Sequence, residues 1–330
     1  MLSHIVSGAA FGAALTAAAI HQPDTIVEQM NYRNWHMVTT FLTASSTSTI
    51  IVNVFQQLGY LHLNPRNYST LNVFGLLDGN IIGGWILGAG MAVSGSCPGT
   101  VFAQVGSGIP SGFYTLGGAM LGGMIWSGFL RPVLSSRRKQ TEQAVDAASR
   151  HLTLDQWMGT SRLGAMITVE ALFASLIATV VYLASPGSGG LVGPVTGGLV
   201  IAGAQLVSVV TRGTLLGTSG AFEEVGDYFF WAIGRGVRPK SYNTIALTAG
   251  ITIAALVVYL ASPSAHTIPN ITIHPIRAIF GGILLAVGSR TAGGCTSGHG
   301  ISGISLLSIS SFVTVGAMFA GGMSVAMAMK

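Results

Sequence analysis

The sequence predicts an all-α polytopic membrane protein with about nine transmembrane helices plus short re-entrant helices, arranged as two inverted, pseudo-symmetric halves. Three observations lead to this prediction. Half of the 330 residues are hydrophobic and only 8% are charged, whereas soluble domains carry about 25% charged residues. Apolar stretches recur along the whole chain, with a mean hydropathy of +0.62, which excludes a single membrane anchor. The third observation is an internal repeat.

The predicted spans are apolar stretches of roughly the length that crosses a bilayer. They cover about 5–20, 36–56, 74–93, 111–130, 163–184, 191–212, 243–261, 272–289 and 303–327. Glycine occupies 46 positions and predicts close helix packing, above all at paired glycines. These pairs are Gly83-Gly84, Gly117-Gly118, Gly122-Gly123 and Gly281-Gly282.

The basic residues predict the orientation of the chain. The polar segment 131–162 carries six of the fifteen lysines and arginines, so the positive-inside rule places it in the cytoplasm. A second basic patch at 234–240 and, more weakly, Arg66 indicate the same side. We therefore expect an integral protein of the cell membrane (plasma or inner) with a cytoplasmic N-terminus and an external loop at 261–275.

The internal repeat superimposes two stretches when the chain is shifted along itself, "GGWILGAGMAVSGSC" (83–97) and "GGILLAVGSRTAGGC" (281–295). A fainter pair, 11–30 and 202–228, combines a span with a polar, re-entrant piece. We expect one transport domain over 1–330, with repeat one at about 1–130, the cytoplasmic loop, a linker helix at about 163–184 and repeat two at about 190–330. The linker adds one span, so the second half is inserted upside down, as in many secondary transporters.

The two cysteines occupy matching glycine-rich loops of the repeat. Irregular backbone at membrane depth is tolerated only where it is buried or lines a cavity. We therefore expect the loops around Cys97 and Cys295 to meet from opposite faces and to form a constriction. A disulfide between the two cysteines is an alternative, as is a simple packing role for both thiols.

Most polar groups of these loops donate hydrogen bonds, and almost none are acidic, which predicts a small anion as ligand. Glycine-rich turns also leave backbone N–H groups free for an anion. Arg290 and Arg212 mark a ligand path or, alternatively, extend to the membrane interface; His299 is a donor or a packed structural residue. The predicted substrate-binding residues are Ser94, Gly95, Ser96, Cys97, Arg290, Gly293, Gly294, Cys295, Thr296, His299 and His21, with Thr100 and Ser297 as additional hydroxyl donors.

A thiol is a soft, polarizable and weak donor. It suits a ligand with a soft sulfur atom, provided that it stays protonated, since a thiolate would repel an anion. Sulfate has no such atom and gives no reason for cysteine.

The stretches "GAGMAVSGSCPGT" and "GGILLAVGSRTAGGCTSGHGISG" resemble the YeeE/YedE family of sulfur-compound transporters. The span order and repeat layout are similar over nearly the full chain, and motif identity covers only the cysteine loops and the helices before them. The resemblance implies an hourglass-shaped importer of thiosulfate in which Cys97 and Cys295 relay the ion through S–H hydrogen bonds. Bacterial members carry a further cysteine near "FGAALTAAAIHQP", where this chain has His21, so the sequence looks like a divergent branch.

Other functions stay open at this point. The anion is thiosulfate or another sulfur or selenium oxyanion, such as sulfite or sulfate. A thiol-redox membrane enzyme or a sensor is the alternative of another class, but the chain has no CxxC and no nucleotide-binding loop. We expect no enzymatic activity, no cofactor, no metal and no nucleic-acid partner. The expected partners are a small inorganic anion, the lipid bilayer and a cytoplasmic sulfur-carrier protein. Candidate residues for ion coupling are Asp78, Glu170, Glu223 and Glu224.

Overall fold

Nine long helices in the described part of the chain follow the nine predicted spans. The computed structural model describes residues 1–139, 151–184, 190–262 and 271–330. In chain order, the elements named within these ranges are α1 Leu2–Ala17, α2 Pro23–Met30, α3 His36–Gln57, α4 Asp78–Ser94, α5 Thr100–Gly106, α6 Pro110–Ile125, the π-helix π1 Trp126–Leu130, α7 Arg131–Lys139, α8 Leu154–Met158, α9 Arg162–Ala184, α10 Pro194–Arg212, α11 Gly220–Ala232, α12 Asn243–Ala261, α13 Pro275–Ala292, the π-helix π2 Thr296–Gly303 and α14 Ile309–Ala328.

The all-α polytopic membrane fold is confirmed for the described residues. By length and composition, five of their helices can cross a membrane: α3, α9, α10, α12 and α14. A sixth candidate is α13 taken together with π2, which is bent from it by 41°. The remaining long helices, α1, α4 and α6, have 16 or 17 residues, fewer than the about 20 that cross a bilayer. Residues 140–150 of the predicted cytoplasmic loop and 263–270 of the predicted external loop lie outside the described residues.

Helices of the first half of the chain pack on helices of the second half in matching pairs. The two halves can be compared helix by helix. Taken in order, the first half contributes α1, α3, α4, α5 and α6, and the second half contributes α10, α12, α13, π2 and α14. Each main contact between two helices then has a counterpart between the corresponding helices. Thus α1 packs on α12 and α3 on α10, while α6 packs on α13 and α4 on α14. The short helices follow the same pattern, because α5 contacts α6 and α12 whereas π2 contacts α14 and α3. Such packing is expected of two related halves.

A close crossing joins α4 and α13, the two helices that lead to the cysteine loops. A Cβ atom built on Gly90 would lie 2.8 Å from the Leu285 nitrogen, and one on Gly288 would lie 2.4 Å from the Leu87 nitrogen. The sequence shift that superimposes the two cysteines also places Gly90 on Gly288 and Leu87 on Leu285. The contact of Gly90 with Leu285 is therefore the equivalent, in the repeat, of the contact of Gly288 with Leu87. Small residues permit so close a backbone approach, which explains why both helices are rich in glycine.

A cluster of charged side chains lies where the predicted cytoplasmic segment 131–162 begins. Arg131 donates to Glu223 at 2.8 Å and to Asp227 at 2.7 Å, and Arg290 pairs with the other oxygen of Glu223. The hydrogen bonds from Arg131 to Asp227 and Glu223 raise the pKa of its guanidinium above the ordinary value. The cluster holds two cations and two carboxylates, so its charges balance.

Cysteines introduced at Arg33 and Val237 are expected to react with a membrane-impermeant thiol reagent from opposite sides of the membrane. Both positions are exposed, and five of the nine long helices lie between them, which is an odd number. Val237 belongs to the basic patch and is expected on the cytoplasmic side. The parent protein is the control, because Cys97 and Cys295 are buried. Reaction of both introduced cysteines from one side would contradict the inverted arrangement.

Candidate functional site

Both cysteines follow the end of a helix at a glycine in the left-handed region. The residue directly after α4 is Gly95, with φ of 60°, and the residue directly after α13 is Gly293, with φ of 82°. Residues with a Cβ rarely adopt this conformation, so glycine is the usual residue at such a helix end. Cys97 and Cys295 lie shortly after these glycines, in the turns that lead into α5 and π2. The repeat seen in the sequence therefore corresponds to the same backbone conformation in both halves: a helix end, a left-handed glycine and a turn that carries the cysteine.

Cys97 is held by the first residue of α5. The Thr100 hydroxyl accepts a hydrogen bond from the Cys97 backbone nitrogen at 2.8 Å, and the Thr100 backbone N–H donates to Cys97 Sγ at 3.4 Å. The sulfur is therefore used as an acceptor. Its own S–H proton is left for another partner.

Cys97 lines a cavity of about 40 Å³. Most of the wall is apolar, and it includes Phe11, Leu15 and Phe41. Four polar residues from the two cysteine loops line the same cavity: Cys97, Thr100, Thr296 and Ser297. The two loops thus line one space, and the constriction predicted from the sequence stays a prediction. An ion in this space would encounter hydroxyl and thiol donors against an apolar wall.

Cys295 lies beyond this cavity, behind Ser297. Its sulfur is 3.3 Å from the Ser297 hydroxyl and 3.5 Å from the Thr218 hydroxyl. Either atom of each pair can donate. Since Ser297 also lines the cavity, its hydroxyl links the cavity that contains Cys97 to the Cys295 thiol.

Two methionines close the space around the start of π2. The Thr296 hydroxyl donates toward the sulfur atoms of Met318 at 3.3 Å and Met91 at 3.7 Å. Both methionines are fully buried. Methionine is flexible and polarizable, so this contact can rearrange without breaking the packing around it.

His299 is held by protein partners at both ring nitrogens. Its Nε2 lies 3.1 Å from the Ala292 carbonyl, and its Nδ1 lies 2.9 Å from the Ser311 hydroxyl. Nε2 must donate to the carbonyl, so Nδ1 is free to accept from Ser311. This arrangement fits a neutral imidazole that supports the loop from behind. A ligand would have to displace one of these bonds.

Arg290 points into the charged cluster and not toward Cys295. It pairs with Glu223 and lines a second cavity of about 190 Å³ together with Arg131, Thr291 and Gly293. Its charge is thus neutralised by a carboxylate. Arg212, the other arginine considered from the sequence, donates to the Leu215 carbonyl at 3.2 Å and to the Ser208 hydroxyl.

His21 lies next to the first cysteine loop without lining the cavity. The residue is buried, and its Nε2 is 3.4 Å from the Gln22 amide nitrogen. The Gln104 amide donates at 2.9 Å to the carbonyls of both His21 and Gly95. Gln104 therefore ties the segment before α2 to the loop that carries Cys97.

Ser302, the counterpart of Gln104 under the sequence shift, has the matching role in the second half. Its hydroxyl donates to the Leu216 carbonyl at 2.6 Å, so it ties the segment before α11 to π2. Ser94 and Ser96 instead make local bonds, to the carbonyls of Gly90 at 2.7 Å and of Cys97 at 3.5 Å.

Three residues of the site were not among the sequence-based candidates: Thr218, Gln104 and Arg66. Arg66, interpreted from the sequence only as a weak topology signal, reaches the second cysteine loop from the α3–α4 connection. Its Nη1 donates to the Gly293 carbonyl at 3.2 Å, and a Cβ atom at the next residue, Gly294, would lie 3.0 Å from the same nitrogen. Each of the three contacts joins segments that local sequence patterns do not relate, so no such pattern could have indicated it.

Comparisons with known proteins point to transport. A family model described as sulphur transport matches residues 18–324. A protein named thiosulfate transporter TsuA, from Spirochaeta thermophila, is 25% identical over 287 residues, which cover 80% of this chain and 79% of that protein. A protein named probable transporter, from Xylella fastidiosa, is 28% identical over 138 residues, which cover 40% of this chain and 90% of that protein.

Proposed function

The chain belongs to the sulphur transport family, and from this premise we propose that it imports thiosulfate through the two glycine-cysteine loops. In this proposal Cys97 and Cys295 pass the anion inward by S–H hydrogen bonds. The sulfur atoms form no covalent bond to the substrate and do not change their oxidation state.

One observation carries the proposal: the two thiols, although far apart in sequence, lie in equivalent turns that meet at one space. Cys97 lines the cavity of about 40 Å³, and Ser297 connects that cavity to Cys295. The name of the Spirochaeta relative, a thiosulfate transporter, supports the choice of anion. Thiosulfate also has a terminal sulfur atom, which suits a soft donor better than the oxygen atoms of sulfate do.

The order of contacts suggests a path for the anion. It enters the cavity and accepts a hydrogen bond from the Cys97 thiol, whose sulfur is already held by the Thr100 N–H. The Ser297 hydroxyl then turns from Cys295 toward the anion. The Cys295 thiol, with the Thr218 hydroxyl beside it, receives the ion on the far side. Within the two loops, each transfer exchanges one hydrogen-bond donor for another.

Inward movement of a dianion opposes the membrane potential. At about 100 mV, negative inside, two charges cost about 4.6 kcal/mol. Accumulation therefore needs either a coupled ion or rapid consumption inside the cell. Capture of the imported sulfur by a cytoplasmic sulfur-carrier protein would supply the second route, and we include this partner in the proposal.

Growth on thiosulfate as the only sulfur source tests the proposed function. The host should lack its own importers of sulfate and thiosulfate, and it should carry either this chain or an empty vector. We expect growth with the chain alone. Uptake of radiolabelled thiosulfate, with unlabelled sulfite, sulfate and selenite as competitors, then measures selectivity.

Two results would overturn the choice of anion. One is an absence of growth although the protein is present in the membrane. The other is uptake that sulfate inhibits as well as unlabelled thiosulfate does, since the argument for a soft sulfur contact would then fail.

A further inference from the structure

Arg66 is a cation that the fold directs at the second cysteine loop. The residue lies in the connection between α3 and α4, far from that loop in sequence. Serine side chains fix its backbone on the second half of the molecule: the Ser308 hydroxyl accepts from the Arg66 nitrogen, and the Ser310 hydroxyl donates to the Arg66 carbonyl, both at 3.0 Å. These bonds hold the backbone from which the Arg66 side chain reaches the second cysteine loop.

Glycines make the space that the guanidinium occupies. A Cβ atom on Gly294 would lie 3.0 Å from Arg66 Nη1, and a Cβ atom on Gly298 would lie 3.2 Å from Nη2. The same point beside Gly298 is 3.6 Å from Cys295 Sγ. The guanidinium and the thiol thus face one small space, and Gly298 leaves that space open.

The charge of Arg66 is not neutralised by a carboxylate of the described residues. The ion pairs at this end of the molecule join Arg131 and Arg290 to Glu223 and Asp227. Arg66 takes part in none of these pairs, and within the described ranges its guanidinium donates to a backbone carbonyl only. A half-buried cation with unused donors is a strong site for an anion, because hydrogen bonds to ionised groups are stronger than neutral ones.

We propose that Arg66 and Cys295 together form an anion-binding site at the inner end of the pathway, with the Thr218 hydroxyl as a further donor. The site takes a small divalent oxyanion. Arg66 supplies the charge and Cys295 the soft contact. Gly293, which is exposed, marks the opening through which the ion leaves. This inference rests on the proposed function for its place in transport, but anion binding at Arg66 can be measured without transport.

The test is anion-dependent thermal stabilisation of the purified full-length protein in detergent. Bound ligand raises the unfolding temperature, and the concentration that gives half of the effect reports affinity. Thiosulfate, sulfite, sulfate and selenite are titrated in chloride-free buffer. With Arg66→Gln we expect the half-saturating concentration of the effective anion to rise by about tenfold or more, and with Arg66→Lys by less. Arg235→Gln removes an exposed arginine of the basic patch and should match the wild type.

A second variant tests whether the gap beside Gly298 is needed for anion binding when the charge of Arg66 is kept. In Gly298→Ala the added methyl group would occupy the gap between the guanidinium and the thiol, and we expect weaker anion binding with Arg66 still present. A purely structural role of Arg66 would lower the unfolding temperature without anion but leave the half-saturating concentration unchanged, which would overturn the proposal. An absence of stabilisation of the wild type by every anion would overturn it too.

The outcomes also separate this inference from the proposed function. Stabilisation by selenite or sulfate but not by thiosulfate, lost in Arg66→Gln, would support the site and reject thiosulfate as its ligand. Thiosulfate uptake with an unchanged concentration dependence in Arg66→Gln would support import and reject the site.

Discussion

Alanine at Cys97 or at Cys295 is expected to lower thiosulfate uptake by about 10- to 100-fold, the loss that follows when one hydrogen bond to a charged group is removed. Each thiol is the donor at its own step of the path, so neither can replace the other. Serine restores a donor of similar size at either position but not the soft sulfur, and we expect it to rescue poorly. Initial rates of radiolabelled uptake, normalised to protein in the membrane, measure the effect.

Ser107→Ala is the matched control for these variants. Ser107 is buried at the end of α5, and its hydroxyl has no hydrogen-bond partner among the described residues. The control should therefore keep wild-type uptake. Serine variants that transport at the wild-type rate would refute the role of the soft sulfur, even though import itself would stand.

Alanine at Gly118 is expected to destabilise the folded protein, whereas alanine at the adjacent Gly117 should be tolerated. A Cβ atom on Gly118 would lie 2.0 Å from the Ile279 carbonyl oxygen, so α6 and α13 would have to separate. At Gly117 no described atom lies within 4 Å of the added Cβ. Overpacking of a tight contact costs about 1–3 kcal/mol or more, and alanine in an open helix position gains slightly in helix propensity.

Thermal unfolding in detergent separates the two glycine variants, with the wild type as reference. We expect a lower unfolding temperature and lower yield for Gly118→Ala only. Equal stability of the two variants would mean that α6 and α13 are not in backbone contact at this point.

The sequence predicted the helices well because membrane spans are local signals. An apolar stretch of sufficient length can be recognised without knowledge of the rest of the fold. At most helix ends the observed bound differs from the predicted one by only a few residues. The last span is an exception: it was predicted to begin at 303, but α14 begins at Ile309 because the chain turns at 306–308 after π2, with Leu307 at φ of 55°. Hydropathy does not distinguish the apolar residues of such a turn from the first turn of a span.

The site was predicted only in part, for a physical reason. Cys97 and Cys295 could be found because the repeat places them in equivalent turns, and a repeat is visible in one sequence. Gln104 and Arg66 could not, since their roles depend on which carbonyl or thiol lies opposite in the fold. Arg290, predicted as an anion ligand on its proximity in sequence to Cys295, lies beside Glu223 because α13 turns it toward α11. Contacts between side chains of distant segments cannot be read from the hydrophobic pattern of a sequence.

The crossing of α4 with α13 has a consequence for how the protein is made. Each of these helices packs on a partner from the other half of the chain, so the first half leaves the ribosome with its glycine face uncovered. At about 5–20 residues per second, that face waits on the order of 10–40 s for its counterpart to be synthesised. Biogenesis therefore depends on the insertion machinery or lipids to shield a surface shaped for another helix. Slowed translation between the halves should increase degradation of the nascent chain.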